Sequence, residues 1–290
     1  MNILIGVAAA QRLMESAAPI RVIDCRAVLG DAAAGRRLWS EGHIPGALHA
    51  DLESDLSMQG PATEGRHPLP DDARLSATFS RWGLTPEHWL VAYDAGDGAY
   101  AARAWWLATR AGHARALVVD GGLRAWECAG YPLASGDSTG PIVPVDSTLA
   151  LDRAALIDAD GLNRLLDTHA VILLDARAAE RFRGDSEPID AMAGHVPGAH
   201  NRPYADNLEN GVFKQPETLR EEFELLLKGA ASADIVHMCG SGVTACHNLL
   251  AMDLAGLHGS RLFAPSWSGW SADPERPIAM GGDSPITPAL

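Results

Sequence analysis

Short apolar runs alternate with amphipathic stretches along the whole chain. The runs over 171–174 and 235–238 are typical of strands buried on both faces of a sheet. Between them, apolar residues recur at helical spacing over 216–229, with Pro216 early and Gly229 at the end. Strands that alternate with helices predict an α/β fold, a parallel sheet with helices on both faces. By the same criteria we predict further helices at the N-terminus and over 99–110, 153–167 and 243–255, and strands over 90–93 and 116–119.

This pattern occurs twice. Four landmarks recur in one order and at nearly one separation: Asp24 with Asp175, Gly42–Ala47 with Gly194–Ala199, Asp94 with Cys239, and Gly122–Trp126 with Ser266–Trp270. Such a series indicates a tandem duplication. The predicted domains are 1–133 and 151–285, joined by a linker over 134–150 that is rich in Gly, Pro, Ser and Thr.

Composition and charge narrow the class of protein. The length of 290 residues corresponds to about two domains of roughly 150 residues. The formal net charge is −14, from 23 basic and 37 acidic side chains, and no basic cluster is present, which argues against a nucleic-acid partner. No apolar stretch approaches the ~18 residues of a membrane span, and the N-terminus lacks the basic start of a signal peptide. We therefore predict a cytoplasmic protein with no membrane partner.

The candidate chemistry lies at Cys239, one of four cysteines. Cys239 follows a predicted strand and precedes Gly240, Ser241, Gly242 and a predicted helix, at the sheet edge where ligands of α/β proteins collect. A glycine-rich loop of inward amides that leads into a helix binds anions and favours the thiolate form of a cysteine. The alternative is a small buried residue before a turn.

The other cysteines carry no such signal. Cys25 and Cys128 have no glycine-rich loop beside them, and Cys246 falls inside the predicted helix. The number and spacing of the cysteines suggest neither a disulfide scaffold nor a zinc site, so we predict no metal and no organic cofactor. A cysteine phosphatase would need an arginine six positions after its nucleophile, and Ala245 stands there.

The chain resembles two-domain rhodanese-type sulfurtransferases over nearly its whole length. The resemblance rests on the two copies of Gly-His-Ile/Val-Pro-Gly-Ala, the Arg181–Gly184 segment, the Cys-Gly-Ser-Gly-Val-Thr-Ala-Cys loop and Ser266–Trp270. It implies an inactive N-terminal domain, with Asp94 in the cysteine position, and a C-terminal domain in which a Cys239 persulfide carries sulfur. The loop is similar to that of 3-mercaptopyruvate sulfurtransferases, whereas basic residues after the cysteine are expected in thiosulfate-preferring members.

The resemblance also implies roles for individual residues. Ser241 would act with His67 and with an acidic residue, which here is Glu53 where an aspartate is expected. A neutral imidazole can relay the proton of a substrate thiol, and a carboxylate would fix its tautomer. The alternatives are a loop histidine for His67 and a solvated charge for Glu53.

The donor site is the second part of that inference. Arg183 matches the arginine expected to bind the donor's carboxylate or sulfonate, and Gly240, Gly242, Val243 and Thr244 would supply loop contacts to it. Met192 stands where a second arginine is usual, so Arg66 or Arg103 could substitute. Arg181 is interpreted as peripheral.

Residues common to both copies are interpreted as packing elements. This applies to His43 and His195 and to Asp24 and Asp175, because the inactive copy has them too. Trp267 and Trp270 are interpreted as core residues that could also line the pocket.

The predicted function is transfer of sulfane sulfur from an anionic donor, 3-mercaptopyruvate in preference, through Cys239 to a thiol or cyanide. A thioredoxin-like reductant is a candidate partner. The alternatives are a thiosulfate:cyanide sulfurtransferase and a non-catalytic persulfide carrier or sensor that docks a protein.

Overall fold

The computed structural model of the chain describes residues 3–137, 140 and 142–282. Residues 138, 139 and 141 of the predicted linker, and 283–285 of the predicted second domain, lie outside the described residues. Among the described helices, none is both long and apolar enough to cross a bilayer.

The chain forms two compact units of similar size. Of the described residues, the first contains 3–58, 210–213 and those within 69–152, and the second contains 59–68, 153–209 and 214–282. Residues 59–68 therefore pack with the second unit although they precede most of the first unit in sequence. The predicted limits 1–133, 134–150 and 151–285 stay a prediction.

The first unit is built on a five-stranded sheet of order β1-β5-β4-β2-β3, and its strand pairs are parallel. The predicted strands over 90–93 and 116–119 and the helix over 99–110 are confirmed. Its elements are β1 (Leu4–Ile5), α1 (Val7–Met14), β2 (Ile20–Asp24), α2 (Ala34–Glu41), β3 (Leu48–His49), α3 (Asp72–Arg81), β4 (Trp89–Tyr93), α4 (Ala101–Arg110), β5 (Ala116–Val119) and α5 (Gly122–Cys128).

The second unit repeats this plan with a parallel sheet of order β11-β10-β6-β7. The elements in this part of the chain are α6 (Ala159–Asp167), β6 (Ile172–Asp175), α7 (Ala179–Arg183), β7 (Ala199–Asn201), β8 (Leu208–Glu209), β9 (Val212–Phe213), α8 (Pro216–Leu227), β10 (Ile235–Met238), α9 (Ala245–Leu254), β11 (Arg261–Leu262) and α10 (Ser266–Trp270).

The predicted helix over 153–167 is wrong in its first part. Residues 153–155 form a 3₁₀ turn, and the next residues run beside β11, where Ile157 N donates to Leu262 O at 3.1 Å. A new helix then begins after Asp158, whose side chain accepts a hydrogen bond from Gly161 N at 2.6 Å. The chain leaves the helical pattern because pairing with the sheet edge satisfies its backbone groups.

The fold class is confirmed: each unit is a parallel sheet covered by helices. Strands β4, β5 and β10 are buried along most of their length because both faces of the sheet are packed there, so their sequences are largely apolar runs. In the second unit, Leu173, Val236 and Met238 pack with Phe182 and Trp267 in one buried cluster. This core fixes the carboxyl end of β10, the central strand that leads to Cys239.

The two repeated histidines make the same contacts in both units. His43 stacks on Trp39 with ring centroids 4.5 Å apart, and its Nδ1 donates to Trp39 O at 2.7 Å. His195 stacks on Phe182 at 3.9 Å, and its Nδ1 donates to Phe182 O at 2.8 Å. Both are therefore packing elements of the fold.

The repeated aspartates hold a buried arginine. Asp24 pairs with Arg26 at 2.6 Å, and Asp175 pairs with Arg177 at 2.7 Å. Each arginine also donates to the carbonyl of the glycine that opens the repeated motif, Gly42 or Gly194. The pair thus ties the end of one strand to the loop that leads into the next.

Candidate active site

Cys239 follows β10 directly and is 1% exposed. Its backbone N–H donates to Ser266 Oγ, and Gly242 N–H donates to Cys239 Sγ, both at 3.1 Å. The loop therefore curls back so that an amide points at the sulfur, as the sequence predicts. Such an amide stabilises negative charge on that sulfur.

Gly242 is the glycine that this curl requires. Its φ is +78°, and a Cβ there would lie 2.5 Å from Ala264 O. Gly240 has no such restriction, because a Cβ there would meet its nearest neighbour at 3.4 Å. The two loop glycines therefore differ: Gly242 is required by the backbone, whereas Gly240 lies beside two arginine side chains.

Helix α10 lies under the loop. Trp267 N–H donates to Cys239 O and Ser268 N–H to Gly240 O, both at 2.9 Å. Ser266 is fully buried with a φ of +54°, and its hydroxyl also donates to Phe263 O. A left-handed, non-glycine residue is held here because its hydroxyl bonds both the loop and the chain after β11. Sequence reasoning missed Ser266 as a positioning residue, and its place in the repeated Ser-Trp-Ser-Gly-Trp segment was the available signal.

The structure brings Ser241 and His67 together. His67 Nδ1 and Ser241 Oγ are 2.8 Å apart, and the two residues are 2% and 6% exposed. His67 reaches the loop because residues 59–68 belong to the second unit. A buried hydroxyl–imidazole pair whose serine is two residues after the cysteine is suited to move a proton.

Two arginines border the loop, and Arg183 is not one of them. A Cβ on Gly240 would lie 3.4 Å from Arg66 Nη2 and 3.5 Å from Arg181 Nη1. The Arg183 side chain is 43% exposed and pairs with Asp185 at 2.7 Å. The donor-binding role of Arg183 stays a prediction, and the geometry favours Arg181.

Arg181 is held by two acids. Its Nε and Nη2 contact both carboxylate oxygens of Glu187 at 2.8–3.2 Å, and Nη2 also donates to Asp190 at 3.0 Å. Burial by itself would raise the pKa of Glu187, but hydrogen bonds from Arg181 and from the Asp190 and Ile189 amides lower it below the ordinary value. Glu187 is therefore a carboxylate that orients Arg181 at neutral pH.

The remaining predicted site residues have these positions. Val243 is buried, and Thr244 is half-buried directly before α9. Glu53 is half-buried in the first unit and lines a small cavity with Arg26 and His49.

Cys246 is buried in α9, where its Sγ donates to Gly242 O at 3.4 Å. Trp267 and Trp270 are core residues, as predicted.

Asp94 occupies the corresponding loop of the first unit. Its carboxylate accepts hydrogen bonds from four backbone amides at 2.9–3.2 Å, those of Gly96, Gly98, Tyr100 and Ala101. Complete burial and the nearby Asp97 raise the pKa of Asp94, and the amides offset part of this rise. The side chain thus fills the anion cradle that its own loop forms. Among the described residues of the whole chain, no group of three or more His, Cys, Asp or Glu is placed to hold a metal ion.

Comparison with known proteins agrees with this architecture. The chain matches the family described as "Rhodanese-like domain" twice, over residues 7–129 and 158–273. The chain belongs to the rhodanese-like family. The resemblance inferred from the repeat and the cysteine loop is thus confirmed.

Curated relatives of this rhodanese-like protein are sulfurtransferases. It is 49% identical over 263 residues to a "Probable 3-mercaptopyruvate sulfurtransferase" of Pseudomonas aeruginosa, which covers 90% of this chain and 92% of that one. It is 31% identical over 270 residues to a thiosulfate sulfurtransferase of Rattus norvegicus, covering 90% and 89%. The prediction of a sulfurtransferase enzyme is confirmed, while the two names differ in the donor.

A solved structure supports the same assignment. The 3-mercaptopyruvate sulfurtransferase from Leishmania major has a TM-score of 0.81 and 30% sequence identity to this rhodanese-like chain. The match covers 93% of this chain and 74% of that one. The two-domain rhodanese fold is therefore common to both proteins.

Proposed function

We propose that this sulfurtransferase takes sulfur from 3-mercaptopyruvate, holds it as a persulfide on Cys239 and passes it to a thiol or cyanide. The observation that carries the proposal is the buried pair of His67 Nδ1 and Ser241 Oγ, 2.8 Å apart beside the cysteine loop. A thiol donor has a proton to be removed, whereas the sulfane sulfur of thiosulfate has none. A buried proton relay at this position therefore favours the thiol donor.

The first half-reaction uses the cysteine and the relay. The Cys239 thiolate attacks the donor sulfur, a sulfur–sulfur bond forms, and the carbon–sulfur bond breaks. The bonding electrons go to carbon and form the enolate of pyruvate. The proton of the donor thiol passes through Ser241 and His67 to that carbon, which gives pyruvate and a Cys239 persulfide anion.

The second half-reaction regenerates the Cys239 thiolate. A thiolate or cyanide attacks the outer sulfur of the persulfide. The sulfur–sulfur bond breaks, and its electron pair goes to Cys239 Sγ. The products are a new persulfide or thiocyanate and the Cys239 thiolate. The Gly242 amide, 3.1 Å from Cys239 Sγ, stabilises the Cys239 thiolate that starts the first half-reaction and the one that leaves in the second.

The donor is held by positive charge at the loop. Arg181 lies beside Gly240 and is oriented by Glu187, so it is the better candidate than Arg183 to bind the donor's carboxylate. Glu53 carries no part of this argument, and its role as the third member of the relay stays a prediction.

The test is steady-state sulfur transfer to cyanide with mercaptopyruvate and thiosulfate side by side. We expect kcat/KM for mercaptopyruvate to exceed that for thiosulfate by about tenfold or more, and Cys239→Ser to abolish both activities. Ser241→Ala should lower kcat with mercaptopyruvate by about 100-fold, as for loss of a general acid–base group, and should affect thiosulfate much less. A ratio in favour of thiosulfate would overturn the assigned donor. Absence of turnover with either donor would instead favour a persulfide carrier.

A further inference from the structure

Arg66 precedes His67, the histidine of the proposed proton relay, and lies beside Gly240 of the cysteine loop. Its Nη2 would be 3.4 Å from a Cβ on Gly240, the residue that follows Cys239. Its side chain is 30% exposed, so solutes reach it, whereas Cys239 is 1% exposed. Arg66 is thus the more accessible of the two guanidinium groups beside the loop, since Arg181 is 16% exposed.

The backbone of Arg66 is fixed on α10. Arg66 N–H donates to Ser268 Oγ at 3.0 Å, and the N–H of Ser268 donates to Gly240 O at 2.9 Å. Gly65 has a φ of +86° and lies against Pro265. The same short helix therefore holds both the cysteine loop and the backbone of Arg66.

The guanidinium is fixed separately, through Asp190. Arg66 Nη1 donates to Asp190 Oδ1, and Arg181 Nη2 donates to Asp190 Oδ2 at 3.0 Å. The carboxylate of Asp190, 6% exposed, thus bridges the two arginines. A guanidinium held at its backbone and at one nitrogen loses little further freedom when it binds a ligand.

Arg66 keeps an unused donor. Its Nε is buried without a hydrogen-bond acceptor among the described residues. Leaving a buried donor without an acceptor is unfavourable, so a ligand oxygen that reaches this nitrogen gains binding energy. Nε and Nη2 form one edge of a guanidinium, and the two oxygens of a carboxylate match the spacing of such an edge.

The charge of the surrounding cluster favours a monoanion. Arg66, Arg177 and Arg181 face Asp175, Glu187 and Asp190 in one network of ion pairs. The formal charges of these six groups cancel. A neutral cluster can accept one carboxylate, while the two charges of thiosulfate would cost more to remove from water there.

We infer that Arg66 is a substrate-binding residue: its Nε/Nη2 edge binds the carboxylate of the sulfur donor and replaces the second arginine that is missing at Met192. Asp190 is its positioning residue. The inference rests on the proposed function, because it assigns the donor's carboxylate to this edge.

The first test is the kinetics of Arg66→Gln and Arg66→Lys. With mercaptopyruvate as donor, Arg66→Gln should raise KM by about tenfold or more and change kcat less than about threefold, which is the pattern for lost ground-state binding. Arg66→Lys keeps the positive charge but lacks the two-nitrogen edge of a guanidinium, so its KM should lie between those of wild type and Arg66→Gln. Arg220→Gln is the matched control, because Arg220 forms an exposed pair with Glu224 on α8. An unchanged KM in Arg66→Gln would overturn the inference.

The second test needs no turnover. Calorimetry with pyruvate, which carries the same carboxylate, is made on Cys239→Ser protein with and without Arg66→Gln. Binding should weaken by about tenfold when Arg66 is replaced. Equal binding by the two proteins, or no binding when Arg66 is present, would overturn the inference. This readout is independent of sulfur transfer. If the wild-type enzyme were inactive with mercaptopyruvate, the proposed function would be rejected, and calorimetry would still show whether Arg66 binds the carboxylate.

Discussion

Arg181 and Arg183 stand two positions apart on α7, and that spacing decides which of them reaches the cysteine loop. Residues two apart on a helix point in different directions, so only one can face a given neighbour. Arg181 lies beside Gly240 between two acids, whereas Arg183 is 43% exposed next to Asp185. The motif predicts Arg183 at the donor site and a peripheral Arg181, whereas the structure places Arg181 beside Gly240.

His237 shows what burial does to a single side chain in β10. It is completely buried, its Nε2 lies 3.1 Å from Met252 Sδ, and its Nδ1 has no hydrogen-bond partner among the described residues. Burial lowers the pKa of His237 to about 3. The folded protein therefore holds this imidazole neutral two residues before Cys239.

This predicts a pH dependence of stability. The unfolded chain binds a proton at His237 below about pH 6.5, while the folded chain does so only near pH 3. The contribution to stability is thus complete above pH 6.5 and is lost as the pH falls toward 3, by roughly 1.4 kcal/mol per pH unit. Between pH 7 and pH 5, the free energy of unfolding from urea titrations should fall about 2 kcal/mol more in wild type than in His237→Leu. Equal slopes in the two proteins would contradict the prediction.

At the scale of elements, α10 organises the site more than its five residues suggest. Its amides bond the carbonyls of Cys239 and Gly240, and its Ser268 hydroxyl accepts from Arg66 N–H. One short helix thus places the nucleophile loop and the segment of Arg66 and His67. Its residues are distant in sequence from both, so the recurring segment marks α10 as a landmark but does not show which residues it contacts.

Ser266→Ala tests that function of α10. The substitution leaves the Cys239 N–H and the Phe263 carbonyl without the hydroxyl that each bonds, so we expect a loss of about 1–3 kcal/mol in the free energy of unfolding. kcat for sulfur transfer should also fall, because the loop is held less firmly. Ser271→Ala is the control at the other end of the helix, since Ser271 Oγ bonds the Trp267 carbonyl, which also receives a backbone amide. It should keep the wild-type kcat. Equal kcat in the two variants would contradict a positioning role for Ser266.

At the scale of the whole molecule, the duplication gave two similar loops with different occupants. In the second unit a cysteine sulfur receives the Gly242 amide. In the first unit the carboxylate of Asp94 receives four amides itself. The backbone amides of the first loop are thus bonded by a side chain of the loop itself, and these hydrogen bonds stabilise the fold.

Asp94→Asn tests whether the first loop contributes to stability and not to catalysis. An amide side chain has one oxygen to accept from the four backbone donors, so the first unit should lose about 1–3 kcal/mol and the Tm should fall by several degrees. kcat and KM for sulfur transfer should stay within about twofold of wild type, because the nucleophile loop contains none of these bonds. Calorimetric melting and steady-state kinetics give the two readouts. A large loss of activity with an unchanged Tm would contradict this division.

The sequence by itself determined the duplication, the α/β class and the cysteine loop at the end of β10. These follow from local signals, since apolar runs, helix punctuation and a repeated motif depend on neighbouring residues alone. Where a sequence prediction of secondary structure was wrong, a contact between distant residues was the reason. The predicted helix over 153–167 was interrupted because Ile157 pairs with Leu262 at a sheet edge, which competes with helix formation.

Only the tertiary structure decided the composition of the site. It placed Ser241 against His67, put Arg181 and Arg66 rather than Arg183 beside Gly240, and made Ser266 the support of Cys239. Each of these contacts joins residues far apart in the chain, and their geometry depends on how α10 and residues 59–68 pack in the second unit. Side-chain direction at such points follows from packing, which residue types and spacing do not encode locally.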